Sequence, residues 1–411
     1  MMYEAHRVAI TGMGLISPLG AGLTRNTEAL KSGRHGIVPM TDWARYGGLS
    51  TRLGAPAGDE LPSYPRKRVR TMGRVGLLSL YATESAVEMA RLEDEFIRSG
   101  HVGICYGSTH GSTAETEDFC RKLFEGQSFE AISGSSYPKF MSHTCAANLA
   151  MALNLTGPVL PVISACTSAS QSIGVAFNMV RSGARPIMLC GGAEELHVVH
   201  AGVFDLVFAA STGYNDQPGQ SPRPFDSARD GLVVGEGAGT LVLESFASAR
   251  QRNVPILAEL VGFSTNCDGA HITAPSSTGM AEVMRQALAD ASLDPSAIDY
   301  INAHATATVI GDIAESQAIF DIFGSRVLVS STKGHTGHTL GACGAIEAIY
   351  CIEMLRQGFV APSRNLTQPD ERCAPLNYVR EVLPTPDLRC VMNNNFAFGG
   401  INTSFILRSP D

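Results

Sequence analysis

Short β-branched or apolar runs alternate with longer helix-like segments almost to the C-terminus of this 411-residue chain, and that alternation constrains its fold more than any other feature. Strands are expected at residues 7–11, 102–106, 159–164, 186–190, 239–243, 256–261, 300–303, 327–330, 390–393 and 404–407. Several of these runs are apolar throughout, as strands are when both faces are covered. Helices are expected at 71–90, 142–155, 167–181, 279–291, 310–323 and 339–357. In the first of them, apolar residues at 77, 78, 80, 81, 87 and 89 form a stripe over one face. Such an alternation makes an α/β protein with a largely parallel sheet. No long linker interrupts it. The nearest to a joint is 245–255, SFASARQRNVP, which divides the chain into halves 1–255 and 256–411. Each half opens with a strand running into glycine (7–14 and 256–262), a faint trace of internal duplication.

Composition narrows the functional classes. With 31 Lys+Arg against 39 Asp+Glu the net charge is −8, which excludes a chain-wide basic surface for nucleic acid. No apolar run approaches the length that crosses a bilayer, and the first residues lack the apolar stretch of a signal peptide, so a cytoplasmic location is expected. The ten cysteines are scattered without a C-x-x-C pair and read as reduced thiols, not as a disulfide frame or a zinc site.

Three segments carry chemistry. In VISACTSASQSIG an apolar strand ends at Ser164, small residues surround Cys166, and an amphipathic helix follows with Ile173, Phe177 and Val180 on one stripe. A thiol at such a strand-to-helix turn faces free backbone N–H groups, which favour thiolate and lower a pKa from about 8.5. The alternative for any one of ten cysteines is a structural core thiol. In YINAHATATVIGD, His304 follows a strand, and in SSTKGHTGHTLGACGAIEA another strand gives way to Lys333, His335 and His338, then to a helix with Glu347. Catalytic groups in parallel sheets collect at strand carboxyl ends. No H-x-x-x-H or carboxylate spacing recurs around these histidines, so no metal is expected. VMNNNFAFGGIN reads as a glycine turn between strands with two aromatics, Phe396 and Phe398. GLVVGEGAG precedes a strand and opens no helix, so it reads as structural glycine and not as a dinucleotide fingerprint.

Together these segments resemble the β-ketoacyl–acyl-carrier-protein synthases of the thiolase-like superfamily, the elongating type with a Cys-His-His triad. RVAITGMGLISPLG, SACTSASQSIG, GGAEE, RPFDSARDGLVVGEGAG, NAHATATVIGD, STKGHTGHTLGACGAIEA and FAFGGIN occur in the family's order over essentially the whole chain. The phrases GGAEEL and GHTLGACG look closest to the aryl-polyene and type II polyketide ketosynthases. The resemblance implies a five-layered αβαβα fold built from two duplicated halves. It implies Cys166 as nucleophile, His304 and His338 as catalytic histidines, Lys333 and Glu347 as supporting charges, and Phe398 as a gate. Substrate contacts are implied for Thr306, Thr308, Thr273, Phe204 and Phe396. No cofactor is implied beyond the phosphopantetheine arm that enters with the carrier-borne substrate. The implied partners are an acidic acyl carrier protein and a second ketosynthase-type chain, either an identical copy or one resembling a chain-length factor.

This sequence departs from the family pattern in three places. Ala305 and Ala307 stand where the family usually has glycines, Ala397 replaces a glycine of the gating loop, and His110 falls where a pocket's far end is usually small or aliphatic. A carrier-docking patch is expected at Arg66, Lys67, Arg68, Arg70 and Arg74, because no acidic residue occurs between Leu61 and Thr83. A thiolase acting on coenzyme A esters would need a second cysteine in the C-terminal glycine turn, and 396–400 contains none. A non-elongating, chain-length-factor-like subunit would lack the nucleophile that Cys166 supplies.

Overall fold

Each of the ten expected strands has a counterpart in the computed structural model, which describes residues 6–58, 61–269 and 271–410. The first half holds β1 (Val8–Ser17), β2 (Val102–Gly107), β3 (Val159–Val162), β4 (Ile187–Glu194) and β5 (Gly237–Ser245). The second holds β6 (Ala258–Cys267), β7 (Tyr300–Asn302), β8 (Leu328–Ser330), a short β9 (Asn377–Tyr378), β10 (Cys390–Ala397) and β11 (Ile401–Arg408). Their order in space is β9-β8-β7-β10-β11-β6-β1-β5-β4-β2-β3.

The duplication is plain in that order. From edge to centre each half runs third, second, fourth, fifth, first strand, with β9 an addition to the second half. The two first strands meet antiparallel at the seam, pairing Val8 with Leu260 and Ile10 with Ala258. Both are bulged just before a glycine, Gly12 in one and Gly262 in the other. A Cβ on Gly12 would lie 2.1 Å from Ala86 O, and one on Gly262 would lie 2.6 Å from Ala287 O. Those carbonyls belong to equivalent helices, α1 (Arg74–Met89) and α5 (Ser277–Ala291). The glycine after each opening strand is thus the point where a helix backbone presses onto the sheet.

The remaining helices used below are α2 (Thr144–Leu153), α3 (Ser168–Arg181), α4 (Val198–Leu206), α6 (Val309–Phe323) and α7 (Cys343–Gln357). Three apolar clusters divide them into layers. Val75, Leu78 and Leu149 of α1 and α2 pack on Ile104, Leu189 and Val242 of the first half-sheet. Met284, Leu288 and Ile319 of α5 and α6 pack on Ile301, Met392 and Ile406 of the second. Between the two half-sheets, Ile173 and Phe177 of α3 join Ile346 and Ile349 of α7 in one cluster with strand residues from both halves. The result is the αβαβα stack. Each large apolar side chain buried in that middle layer contributes about 2 kcal/mol relative to exposure.

Two expectations are corrected. The sheet is mixed and not largely parallel: β2–β3, β2–β4, β7–β8, β7–β10 and β8–β9 are parallel, whereas the five central pairings from β4 through β10 are antiparallel. Runs apolar on both faces report helices on both sides, a condition that antiparallel central strands meet here as well. The helix expected at 71–90 starts three residues later, as α1 from Arg74, and a separate short helix, Arg66–Val69, precedes it.

Candidate active site

Cys166 sits between β3 and α3 in a single 3₁₀ turn, Ala165–Thr167. The turn is sharp: Ala165 has φ 49°, a left-handed conformation that a small side chain tolerates best. The hydroxyls around it close it. Ser164 N–H donates to Ser168 Oγ (2.9 Å), which itself donates to Ala165 O (2.7 Å), and Thr167 Oγ1 donates to Ser164 O (2.7 Å). This is why small and hydroxylated residues crowd the cysteine.

The histidines come from the other half. His304 follows β7, and its backbone N–H and that of Ala305 donate to the two carboxylate oxygens of Glu315 on α6, at 2.8 and 2.7 Å. His338 follows β8; its N–H donates to Val233 O (2.7 Å), and its carbonyl accepts from Gly235 N–H (2.9 Å). The GLVVGEGAG segment is therefore the strap that positions His338. His338 Nε2 lies 3.0 Å from Cys166 Sγ, and the two imidazoles stand at 88° with ring centroids 5.0 Å apart. Ligand atoms of Cys166, His304 and His338 all fall within 4.8 Å of one another, a grouping that no sequence spacing announces. They close the inner end of a cavity whose walls include Phe204, Phe396 and Phe398, with Thr273, Thr306 and Thr308 further along it.

Family comparisons agree with this geometry. Residues 5–249 match the N-terminal domain of the beta-ketoacyl synthases and residues 257–367 match their C-terminal domain. The chain belongs to the β-ketoacyl synthase family. It is 34% identical to 3-oxoacyl-[acyl-carrier-protein] synthase 1 of Haemophilus influenzae over 98% of both chains. A crystal structure of a beta-ketoacyl synthase from Burkholderia phymatum superposes with TM-score 0.95 at 48% identity, covering 99% of this chain and 100% of that one. A type II polyketide ketosynthase in complex with its acyl-carrier protein superposes with TM-score 0.90 at 26% identity, with 99% and 100% coverage. The chain shares with these relatives an acyltransferase-class activity, 3-oxoacyl-[acyl-carrier-protein] synthase.

In this β-ketoacyl synthase the expected low thiol pKa is not found. Burial pushes the Cys166 thiol up to about 12, with the Lys333 cation opposing. The turn places the sulfur in an enclosed space where loss of hydration outweighs a helix end. Burial, and then the Lys333 charge, also hold His304 and His338 well below the usual histidine value. All three shifts favour the neutral forms. Lys333 forms a buried ion pair with Glu347, whose other oxygen accepts from Asn395 Nδ2 at 2.7 Å. Burial works against the Lys333 cation, but Glu347 keeps it protonated above its ordinary range.

Three contributors escaped the sequence reading. Glu315 is one; burial raises its carboxyl to about 8, and its only signal was an acid among the apolar residues of α6. Asn395 gathers Glu347, Ser170 and Asn393. Cys343 Sγ donates to the Cys166 carbonyl at 3.3 Å, a tertiary contact without a sequence signature.

His110 does not line the cavity. Glu194 takes the backbone N–H groups of Thr109 and His110, and the exposed His110 ring stacks on His200 at 4.4 Å. The expectation of a titratable ring at a pocket's far end is thus not met within this chain. The basic cluster is also smaller than expected. Arg68 pairs with Glu84 at 2.5 Å, and Arg74 Nε donates to the buried Glu236 at 2.9 Å, leaving Arg66, Lys67 and Arg70 exposed. Glu84, just past the acid-free stretch, and Glu236, distant in sequence, pair with the arginines that the stretch seemed to leave free.

The alanines in glycine positions are not equivalent. Ala307 has φ 69°, whereas Ala305 and Ala397 are not at positive φ. A left-handed non-glycine residue costs about 1–2 kcal/mol. Ala307→Gly is therefore expected to raise stability by about 1 kcal/mol in denaturant titration, and Ala305→Gly to lower or leave it unchanged. In the β10–β11 turn, Gly400 has φ 72°, and a Cβ there would lie 2.2 Å from Asp268 Oδ1, so this glycine has no substitute.

Proposed function

We propose that Cys166, His304 and His338 carry out the decarboxylative condensation of an acyl thioester with a malonyl thioester, both delivered on an acyl carrier protein. The observation that carries this reading is His338 Nε2 placed 3.0 Å from the Cys166 thiol, with the His304 ring at right angles to it across the same cavity. As Sγ attacks the acyl thioester carbonyl, His338 takes the thiol proton and returns it to the departing pantetheine thiolate. The backbone N–H groups of Cys166 and Phe398 are the donors assigned to the transient oxyanion. Both imidazoles are then neutral and can each present an N–H to the malonyl thioester oxygen. Loss of carbon dioxide leaves an enolate that these donors stabilise. Its carbon attacks acyl-Cys166, forming the new C–C bond and breaking the C–S bond to Cys166, whose thiolate leaves and takes up a proton from solvent.

Lys333 supports this scheme by adding to burial in disfavouring the protonated histidines, with Glu347 and Asn395 holding the cation in place. Thr306 and Thr308, their hydroxyls 3.2 Å apart, and Thr273 are assigned to the phosphopantetheine arm. Ligand atoms as close as those of the triad could also grip a metal ion, but the Lys333 charge beside them favours metal-free chemistry. Cys267, a thiol that meets the glycine turn at Gly399 O (3.5 Å), does not line the cavity, which weighs against thiolase chemistry. A second ketosynthase-type chain is assigned to the free edge at β3, where Val159 and Ile163 are exposed. No helix among the described residues is long and apolar enough to cross a membrane. Fatty-acid, aryl-polyene and type II polyketide chains all remain within this reading.

The test is intact mass after incubation with a panel of acyl-carrier thioesters, followed by malonyl carrier. An acyl adduct on the protein that disappears as a β-ketoacyl carrier forms is expected. A protein that stays unmodified with every acyl group would overturn the reading.

A further inference from the structure

Among the described residues, Cys166, His304 and His338 are the one group of three metal-binding side chains whose ligand atoms lie within 4.8 Å of one another. The residue types suit a borderline-soft divalent cation. Zinc takes cysteine sulfur and histidine nitrogen in tetrahedral sites, and three protein ligands with a fourth position open is a common arrangement. Three atoms no more than 4.8 Å apart share a point within about 2.8 Å of each, against ideal zinc distances of about 2.3 Å to sulfur and about 2.0 Å to nitrogen. Cys166 Sγ and His338 Nε2, at 3.0 Å, would separate to about 3.5 Å around a tetrahedral ion. Side-chain shifts of less than about 1 Å therefore suffice to close the site.

The lone pairs are available to it. Burial, and then the Lys333 charge, disfavour the protonated imidazoles that could not ligate. Nδ1 of each ring is buried without a hydrogen-bond partner, so no neighbour fixes either tautomer. The triad closes the inner end of the cavity, and the fourth position is left to water on the side from which substrate enters. Two features limit the affinity. Lys333 opposes any cation beside it, although its ion pair with Glu347 adds no net charge to the surroundings. Ligating histidines usually have their other nitrogen held by a carboxylate or carbonyl, a contact worth about 10- to 100-fold in affinity, and neither ring has one here. These features describe a site that an ion enters and leaves, not a resident centre.

We propose that Cys166, His304 and His338 form an inhibitory site for zinc or a divalent cation of similar softness. On binding, the S–H bond of Cys166 breaks, a sulfur–metal bond forms, and the proton passes to solvent; no electron is transferred. The sulfur lone pair that would attack a thioester is then committed to the ion, and so are the two imidazoles. Inhibition rests on the functional reading above, whereas binding of the ion does not.

The probe is cobalt(II), which takes zinc's place in thiolate–imidazole sites and colours them, titrated into reduced, untagged protein. Expected are the visible bands of four-coordinate cobalt and a near-ultraviolet sulfur-to-cobalt charge-transfer band, both abolished when zinc displaces the ion. Wild type acylated beforehand at Cys166 by a small acyl-pantetheine thioester should show neither, and this arm needs no variant. Cys166→Ala should lose the charge-transfer band and bind about 100-fold or more weakly, since losing a ligand costs at least what losing its outer support does. His304→Ala should also bind about tenfold or more weakly while still accepting an acyl group at Cys166, which separates the loss of a ligand from a loss of fold. Zinc should stop acylation of wild type by the small thioester, and a chelator should restore it fully. A charge-transfer band that survives in Cys166→Ala or after acylation would overturn the proposal, because the ion would then sit elsewhere. So would wild type that acylates normally in the presence of zinc, or that binds no cobalt, and either result leaves the catalytic reading intact. Cobalt binding with these signatures by a protein that no thioester acylates would support the site and count against the catalytic reading alone.

Discussion

Cys166→Ala folds like the wild type and takes no acyl group from any carrier thioester: that is the largest effect expected of a single substitution here. Alanine fits because the turn already admits only a small residue beside Ala165, and the hydroxyl bonds of Ser168 and Thr167 that close it do not involve the sulfur. What is lost is the nucleophile, for which none of the other nine cysteines can substitute. Cys343 is the nearest thiol known to contact the turn, and it points its S–H at the Cys166 carbonyl. Intact-mass analysis checks the claim, and an acyl adduct on the alanine variant would refute it. Cys166→Gln is expected to keep decarboxylating malonyl carrier, because that step draws on the two imidazoles and not on the thiol.

Removing an imidazole should separate the two stages of the reaction. An oxyanion donor is typically worth about 100- to 1000-fold in rate, and decarboxylation by His304→Ala or His338→Ala should fall by about that much. Acyl transfer should respond unequally. His338 touches the sulfur at 3.0 Å, so its loss slows acylation as well, whereas His304→Ala should still load Cys166. A wild-type rate of malonyl decarboxylation in both variants would defeat the assignment. The pH dependence follows from the direction of the shifts. Both histidines have pKa values held well below 6.5, so their neutral forms persist as the medium is acidified. Decarboxylation by the wild type should therefore stay level on going down through pH 6.5. A profile losing half its rate near 6.5 would show that the rings are hydrated and unburied.

Sequence reading located the triad because each member lies at the end of a strand, in a local pattern a few residues long. It also found the fold class, since apolar runs and amphipathic stripes are local. What it misjudged depends on tertiary surroundings. The sign of the Cys166 shift was wrong because a helix end is visible in sequence and enclosure is not. Arg68 and Arg74 looked unpaired because Glu84 and Glu236 come from beyond the acid-free stretch or from another part of the fold. Glu315 and Asn395 went unnoticed because their value lies in what they touch: the backbone of the His304 turn, and the carboxylate of Glu347. The strand order shared by the two halves was equally hidden, because topology survives after the side chains that once matched have diverged.

Cys166 is supplied by one half of the duplicated fold and both histidines by the other. The distance between sulfur and imidazole is therefore a dimension of the whole stack as well as of the 233–235 strap that holds His338. The direct strand seam between the halves joins only Val8–Ile10 to Ala258–Leu260, so α3 and α7 act as the spacer between two catalytic jaws. A void opened at Phe177 or Ile349, apolar residues far from any thioester, would let those jaws shift, and a displacement of about 1 Å can cost about 100-fold in rate. Middle-layer packing is in that sense part of the enzyme's tolerance stack: its plain aliphatic contacts calibrate a bond-forming distance to which they contribute no atom.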